Sequence, residues 1–112
     1  MCLFCKVVNK EVPAKILFED DDLLAFHDIK PGAPTHALVI PKRHIASLND
    51  VGPDEAPLLG KIVAAARRVA EETGIAQTGY RVVFNTGAHA GQTVFHIHMH
   101  VLGGRAMAWP PG

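Results

Sequence analysis

The chain has 112 residues, 48% of them hydrophobic, and its 11 Lys and Arg balance its 11 Asp and Glu. A chain of this length buries one hydrophobic core, so one domain over residues 1–112 is expected. The zero net charge argues against the basic surface of proteins that bind long nucleic acids. Neither an apolar run of about 18 residues nor a signal-peptide pattern is present. We therefore expect a cytoplasmic protein without nucleic-acid or membrane partners.

Two short apolar runs flank an acidic turn in residues 15–28, and this pattern predicts a β-hairpin that turns at residues 19–22. Two prolines make residues 30–34 a loop, because each fixes its own φ and disfavours helix in the residue before it. The β-favouring residues 36–40 then predict a third strand, which Pro41 ends.

One long helix is predicted to begin at residues 52–55 and to end at Gly74. Pro53 suits the first helical position, the acidic residues beside it favour the positive end of the helix dipole, and glycine is a common C-terminal stop. Between these signals, apolar residues recur with a period of 3.6, at Leu58, Leu59, Ile62, Val63, Ala66, Val69 and Ala70. An apolar face this wide can cover the sheet and can also meet a partner subunit.

The last third of the chain predicts a fourth strand at residues 80–85, a glycine-containing loop at 86–92 and a fifth strand at 94–102. Strands with one long helix, and without repeated strand–helix alternation, indicate an α+β domain with a mostly antiparallel sheet. The apolar, proline-rich residues 109–112 are expected to dock against another surface.

Three of the seven histidines, His96, His98 and His100, take alternate positions in the predicted fifth strand. They would therefore share one face, while Ile97 and Met99 point into the core. Imidazole changes charge near pH 6.5, so it can serve as a nucleophile, an acid, a base or a metal ligand. Two kinds of chemistry fit: the three histidines bind one metal, or the middle histidine attacks phosphorus while its neighbours supply donors and protons.

The loop before the fifth strand favours attack on phosphorus. Its amide and hydroxyl side chains and flexible backbone N–H groups suit phosphoryl oxygens, whereas it offers few carboxylates to a metal. The residues concerned are Asn85, Gly87, Gly91, Gln92 and Thr93. On composition alone, the loop is also compatible with an ordinary hairpin connection.

The segment His96-Ile-His-Met-His-Val-Leu-Gly-Gly-Arg105, closed by Trp109-Pro-Pro-Gly112, resembles the histidine triad (HIT) family, and within it the Hint branch of purine nucleotide-binding proteins. Other stretches resemble that branch as well: Phe4-Cys5-Lys6, Phe18-Glu-Asp-Asp21, Ala25-Phe-His-Asp-Ile29, Pro34-Thr-His36, Leu38-Val-Ile-Pro-Lys42 and Gly91-Gln-Thr-Val94. The resemblance implies an α+β HIT-like fold, with a five-stranded mostly antiparallel sheet, one long helix and a short N-terminal helix. It also implies a homodimer in which two sheets join.

The activity implied by the resemblance is hydrolysis of the P–N bond of purine nucleoside 5′-phosphoramidates of the adenosine type, with no cofactor required for catalysis. His98 would be the nucleophile and would form a nucleotidyl-histidine intermediate. His100 would contact the phosphate or the leaving group, His96 would flank the nucleophile, and His36 would belong to the proton network behind it.

The resemblance also implies how a purine nucleotide is held. Asp28 would accept hydrogen bonds from the ribose hydroxyls, and Trp109 would approach the active site of the partner subunit. The phosphoryl oxygens would be bound by Asn85, Gly91, Gln92, Thr93 and Val94, and the purine slot would be formed by Phe4, Phe26, His27, Ile29 and Leu38. An apolar slot with a few polar groups suits a nucleotide, because the base stacks while the polar groups fix its orientation.

Some members of the family also bind a structural zinc ion with two cysteines and two histidines, which here would be Cys2, Cys5, His44 and His96. Such a set is suited to tetrahedral zinc, and the two cysteines have a typical spacing. The alternative is a pair of ordinary thiols, with His96 only supporting the site. His89 receives no role.

Two other functions remain open. One is hydrolysis of dinucleoside polyphosphates or of other nucleotidyl donors, against which the Trp109-Pro-Pro-Gly112 ending argues. The other is a non-enzymatic module that binds nucleotide or zinc, against which the complete histidine triad argues, because a binding protein needs no nucleophile.

Overall fold

The computed structural model describes residues 2–112. In these residues, the helices and strands follow in the order α1 (Leu3–Val8), β1 (Ile16–Glu19), β2 (Leu23–His27), β3 (Thr35–Pro41), α2 (Ala56–Thr73), β4 (Tyr80–Val83) and β5 (Met99–Gly103). The strands form one sheet in the order β1-β2-β3-β5-β4, and each neighbouring pair is antiparallel. The predicted α+β class, the long helix and the short N-terminal helix are therefore confirmed.

The β1–β2 hairpin turns where the acidic residues predict it. The Asp20 carboxylate accepts hydrogen bonds from the backbone N–H groups of Asp22 and Leu23, both at 2.8 Å. These bonds to the charged form lower the pKa of the Asp20 carboxyl group. The acidic turn thus satisfies backbone donors that the two short strands leave unpaired.

The long helix α2 follows a single 3₁₀ turn at Pro53–Glu55 and ends at the predicted glycine. Gly74 has a φ of 79°, a left-handed conformation that costs glycine no steric strain, and its N–H caps the carbonyl groups of Ala70 and Glu71. No helix in the described part of the chain is both long and apolar enough to span a bilayer.

The sheet has different partners on its two faces. The long helix α2 packs on one face and forms the larger core with alternate residues of the central strands, including Ala37, Val39, Met99 and Val101. The N-terminal helix α1 packs on the opposite face through Phe4 and Val7, against Leu24, Phe26, Leu38 and Ile40. Because side chains alternate along a strand, each central strand contributes to both cores.

The fifth strand is shorter than predicted, since β5 begins at Met99 rather than at residue 94. The ladder with β3 runs from Thr35 opposite Gly103 to Val39 opposite Met99. If the ladder continued, Pro41 would lie opposite residue 97, but proline has no N–H to donate to it. The carbonyl oxygen of Pro41 instead accepts a hydrogen bond from His96 Nε2 at 2.7 Å. The Ile97 N–H bonds to the carbonyl oxygen of Ile45, away from the sheet.

The close packing of Gly103 against the residues that follow α2 generates a stability prediction. A Cβ at Gly103 would lie 2.6 Å from Ile75 Cδ1 and 3.3 Å from the Gly79 carbonyl oxygen. Gly103→Ala should therefore lower the free energy of unfolding by about 1–3 kcal/mol, as overpacking does. The matched control is Gly60→Ala in α2, where no atom lies within 4 Å, and it should raise the free energy by about 0.5–1 kcal/mol. Urea unfolding that ranks the two variants in the opposite order would contradict the packing.

Candidate active site

The triad histidines lie at the N-terminal end of β5, on the face of the sheet that α1 covers. His100 is opposite Leu38 of β3, and His36 lies two residues before Leu38 on the same face. His98 precedes the strand, and its ring centroid lies 5.0 Å from that of His100. His96, His98 and His100 thus converge on one side, although only His100 belongs to the strand.

The orientation of His98 is set by a hydrogen bond to the main chain. Its Nδ1 lies 2.8 Å from the carbonyl oxygen of His96. A carbonyl can only accept, so His98 Nδ1 donates, and the neutral ring keeps an unprotonated Nε2. The ring is 9% exposed and meets the edge of the Phe4 ring at a centroid distance of 5.0 Å. In its neutral form His98 therefore carries a lone pair on Nε2, and the residue itself is nearly buried.

His36 and His100 form an imidazole pair beside His98. His36 Nε2 lies 2.8 Å from His100 Nδ1 and 3.4 Å from a carboxylate oxygen of Asp28. The other Asp28 oxygen accepts from the Lys30 N–H at 2.8 Å. His36 Nε2 therefore faces both the Asp28 carboxylate and His100 Nδ1, and the His100 ring lies next to that of His98.

Burial keeps the rings of this pair neutral. It lowers the pKa of His100 to about 4, and the nearby His98 and His36 rings add to this effect. Burial likewise lowers the pKa of His36, although the Asp28 carboxylate opposes the shift. At neutral pH, His100 therefore faces the reaction site as an uncharged imidazole with one N–H to donate.

The loop that precedes the triad is held in shape by Gln92, which is 7% exposed. Its Nε2 donates to the carbonyl oxygens of Ala46 and Val94, and its Oε1 accepts from the Gly87 N–H. This differs from the expectation that Gln92 holds phosphoryl oxygens directly, because its amide is engaged within the protein. Its role in this structure is to tie the loop to the segment after β3.

Other polar groups of the loop remain available. Within residues 2–112, the side chains of Asn85 and Thr93 make no hydrogen bond to the protein. Gly87 and Gly91 have φ values of 82° and 80°, a conformation that turns the loop at both ends of a short 3₁₀ segment. Val94 lies after the loop and packs beside the α1 core.

The residues expected to form the purine slot fall into two groups. Phe4, Phe26 and Leu38 are at most 6% exposed and belong to the α1 core, where Phe4 meets Phe26 edge to face at 5.6 Å. His27 and Ile29 lie at the surface, and Ile29 is 94% exposed. A buried apolar floor with an exposed rim suits a flat ring that enters from solvent.

A separate cluster gathers Cys2, Cys5, His44 and His96, whose potential ligand atoms all lie within 4.8 Å of one another. His96 Nε2 donates to the Pro41 carbonyl oxygen, so its neutral ring turns an unprotonated Nδ1 toward the cluster. That Nδ1 lies 3.4 Å from Cys2 Sγ and 3.2 Å from His44 Nδ1. Two thiols and two imidazoles in this arrangement fit tetrahedral zinc.

The C-terminal tail contacts the edge strand β4. Arg81 donates to the carbonyl oxygen of Ala108 at 3.0 Å, and its guanidinium carbon lies 5.9 Å from the centre of the Trp109 ring. Trp109 is nevertheless 81% exposed. The tail is thus fixed at its base, while its indole remains on the surface of the single chain.

Sequence reasoning missed two backbone groups that hold the histidines. The Gly32 N–H donates to His36 Nδ1 at 2.8 Å, and the Pro41 carbonyl oxygen accepts from His96. Main-chain donors and acceptors occur at every residue, so composition cannot single them out. The Pro31-Gly32 pair, which predicts a turn just before β3, is the one local signal that pointed to the first of them.

Known proteins resemble this chain over nearly its full length. The HIT domain model matches residues 9–107. The purine nucleoside phosphoramidase of Escherichia coli strain K12 is 47% identical over 105 residues, which cover 94% of this chain and 88% of that protein. A HIT-like protein of Synechococcus elongatus is 48% identical over 98% of this chain and 96% of its own length. The crystal structure of a HIT family hydrolase from Legionella pneumophila Philadelphia 1 is 54% identical, with a TM-score of 0.97 and full coverage of both chains.

The lowered pKa of His100 predicts how stability depends on pH. Between about pH 6.5 and 4 the unfolded chain binds a proton at this residue and the folded chain does not. The free energy of unfolding should therefore be at its full value above pH 6.5 and should fall as the pH drops through this window. Urea unfolding at pH 7 and pH 5 measures the change, and the matched variant His100→Gln should show a smaller one. An NMR titration of His100 with a midpoint near 6.5 would contradict the neutral assignment.

Proposed function

We propose that this chain, which belongs to the HIT domain family, hydrolyses the P–N bond of purine nucleoside 5′-phosphoramidates through a nucleotidyl-histidine intermediate on His98. Its relatives support a hydrolase in general, since the solved Legionella protein is a HIT family hydrolase. The Escherichia coli relative is named as a purine nucleoside phosphoramidase, which supports the narrower reaction.

The observation that carries the proposal is the hydrogen bond from His98 Nδ1 to the His96 carbonyl oxygen. It leaves His98 Nε2 unprotonated and fixes the plane of the ring, which is what a nitrogen nucleophile needs. The neighbouring His100 supplies an N–H donor without a positive charge. A site that only bound nucleotide would require neither an oriented lone pair nor a proton donor beside it.

The reaction then runs in two displacements at the α-phosphorus. In the first, the lone pair of His98 Nε2 forms a bond to phosphorus while the P–N bond of the substrate breaks. The leaving nitrogen has taken up a proton from solvent and departs as a neutral amine, while the neutral His100 donates a hydrogen bond to a phosphoryl oxygen. In the second, water forms a bond to phosphorus, the bond to His98 breaks, and a proton of the water is released to solvent. The products are a nucleoside monophosphate and an amine.

Three groups around the triad hold the nucleotide in this proposal. Asp28 accepts from the ribose hydroxyls, because its carboxylate lies beside His36 Nε2, where the two imidazoles meet, and no Lys or Arg of the described residues pairs with it. Asn85 and Thr93 donate to phosphoryl oxygens together with the backbone N–H groups that follow Gly91. Phe4, Phe26 and Leu38 form the floor beneath the purine, with His27 and Ile29 at its rim.

The chain is proposed to act as a homodimer that joins two sheets at β4. This strand is an edge of the sheet and pairs only with β5, and its residues Tyr80 and Val82 are 39% and 40% exposed. An edge strand with exposed apolar side chains is suited to pair with a second copy. Trp109, which extends from a tail anchored on Arg81 of the same strand, would then reach the site of the partner subunit.

A structural zinc ion is proposed for the cluster of Cys2, Cys5, His44 and His96. When bound, it supplies a rigid tetrahedral link between α1, the end of β3 and the start of the triad, and it takes no part in the chemistry at phosphorus. His96 connects this link to the reaction site, because its backbone carbonyl orients His98.

The catalytic role of His98 can be tested with a substrate panel. Adenosine 5′-phosphoramidate, its guanosine and cytidine counterparts and a diadenosine polyphosphate are compared under the same conditions. The wild type should turn over purine phosphoramidates fastest, and His98→Ala should lose at least about 10⁴-fold in kcat/KM because the nucleophile is gone, while it still binds adenosine monophosphate.

The matched control is His89→Ala, a histidine in the exposed 3₁₀ turn of the loop, which should keep wild-type turnover. Full activity in His98→Ala would refute the covalent mechanism. Faster turnover of the polyphosphate would favour the alternative hydrolase, and nucleotide binding without turnover of any substrate would favour a binding module.

The zinc proposal predicts different behaviour for two exposed histidines. The purified wild type should contain about one zinc ion per chain, and His44→Asn should lose most of it because one of four ligands is removed. His89→Asn carries the same substitution outside the cluster and should retain the metal. Zinc measured by plasma mass spectrometry, together with the melting temperature before and after chelation, gives the result. Equal zinc contents in the two variants would exclude this ligand set.

A further inference from the structure

The loop between β2 and β3 places a backbone donor behind the imidazole pair. The Gly32 N–H lies 2.8 Å from His36 Nδ1, and His36 Nε2 lies 2.8 Å from His100 Nδ1. We infer that the Gly32 N–H is a positioning group of the reaction: by donating to His36 Nδ1, it fixes the proton of His36 on Nε2 and thereby fixes the proton of His100 on the Nε2 that faces the substrate. This inference rests on the proposed function for its catalytic meaning.

The first step follows from what a backbone amide can do. An N–H group only donates, so His36 Nδ1 must accept and carries a lone pair. A neutral imidazole has one N–H, so the proton of His36 is on Nε2. The side chain of His36 is 9% exposed, whereas Gly32 lies at the surface.

The second step transfers this assignment to His100. Two imidazole nitrogens at 2.8 Å need one proton between them, and His36 Nε2 already carries it. His100 Nδ1 therefore accepts, and the neutral His100 ring holds its proton on Nε2. The Asp28 carboxylate, 3.4 Å from His36 Nε2, also favours a proton on that nitrogen.

The consequence concerns the atom of His100 that the substrate meets. Nδ1 is engaged with His36, so Nε2 is the free end of a ring whose centroid lies 5.0 Å from that of His98. In the fixed tautomer this end donates a hydrogen bond to a phosphoryl oxygen or to the leaving nitrogen. In the other tautomer it would present a lone pair, which repels a phosphoryl oxygen and cannot donate to the leaving nitrogen, so the choice of tautomer decides whether His100 assists the reaction.

The loop that carries Gly32 is braced by the C-terminal end of β5. Arg105 Nη2 donates to the Gly32 carbonyl oxygen at 3.1 Å. The neighbouring Gly104 has a φ of 89°, and a Cβ there would lie 2.9 Å from Pro34 Cβ, so this turn packs closely on the loop. Arg105, which the proposed mechanism does not use, thus holds the peptide group that directly follows the Gly32 N–H, and it restrains the residue that orients His36.

The direct test uses the wild-type protein without substrate. In ¹⁵N-labelled protein near pH 7, NMR should detect couplings through the hydrogen bonds from Gly32 N to His36 Nδ1 and from His36 Nε2 to His100 Nδ1. The ring nitrogens of His100 should appear as a protonated Nε2 and an unprotonated Nδ1. A proton on His100 Nδ1, or the absence of both couplings, overturns the inference whether or not any variant folds.

Two substitutions of Gly32 separate the N–H from the rest of the residue. Gly32 does not have a positive φ, so other residues are sterically acceptable there. Gly32→Ala keeps the N–H, and its Cβ would meet His36 Nδ1 at an ordinary 3.7 Å, so the NMR pattern should match the wild type. Gly32→Pro removes the N–H and should give a mixture of tautomers in both His36 and His100. An unchanged pattern in a folded Gly32→Pro protein overturns the inference.

The effect of this positioning on turnover is tested with Arg105→Gln, which removes the guanidinium group that binds the Gly32 carbonyl oxygen, at an exposed position. The matched control is Arg67→Gln on the exposed face of α2. Arg105→Gln and Gly32→Pro should lower kcat by up to about tenfold with little change in KM, the effect of one ordinary hydrogen bond, and Arg67→Gln should leave both constants unchanged. Wild-type kcat in both variants, with mixed His100 tautomers by NMR, overturns the positioning role. If the wild type turns over no phosphoramidate, the proposed function fails, while the NMR pattern still decides the tautomers.

Discussion

The hydrogen bond from His98 Nδ1 to the His96 carbonyl oxygen is the contact on which the candidate site depends. It is short, at 2.8 Å, and it joins two residues that precede β5 and lie outside the sheet. A histidine within a regular ladder would have its neighbouring carbonyl groups engaged across strands. The ladder begins only at Met99, so the His96 carbonyl oxygen is free to orient the His98 ring.

His96 is the junction between this contact and the rest of the molecule. Its ring is fully buried, with Nε2 bonded to the Pro41 carbonyl oxygen and Nδ1 turned to the cluster of Cys2, Cys5 and His44. Its backbone then holds His98. His96 thus links the cluster to His98 through the main chain, while Phe4 of α1 contacts the His98 ring directly.

Local signals in the sequence predicted most of the fold, whereas contacts between distant residues did not follow from them. The acidic turn at Asp20 and the C-terminal stop at Gly74 depend on residues within one turn, and both are observed. The start of β5 depends on Pro41, 55 residues before His96, and Gln92 is engaged by Ala46, 46 residues away. The histidine pattern predicted that the three triad histidines share one side, which is observed, but it did not reveal their backbone partners, such as the Gly32 N–H that bonds to His36.

The stereochemical course at phosphorus tests the covalent mechanism most directly. A nucleoside phosphoramidate made chiral at the α-phosphorus with oxygen isotopes is hydrolysed by the wild-type protein, and the configuration of the released nucleotide is determined. Two successive in-line displacements, the first by His98 and the second by water, predict net retention of configuration. Net inversion would mean that water attacks the substrate directly, and it would contradict a nucleotidyl-histidine intermediate.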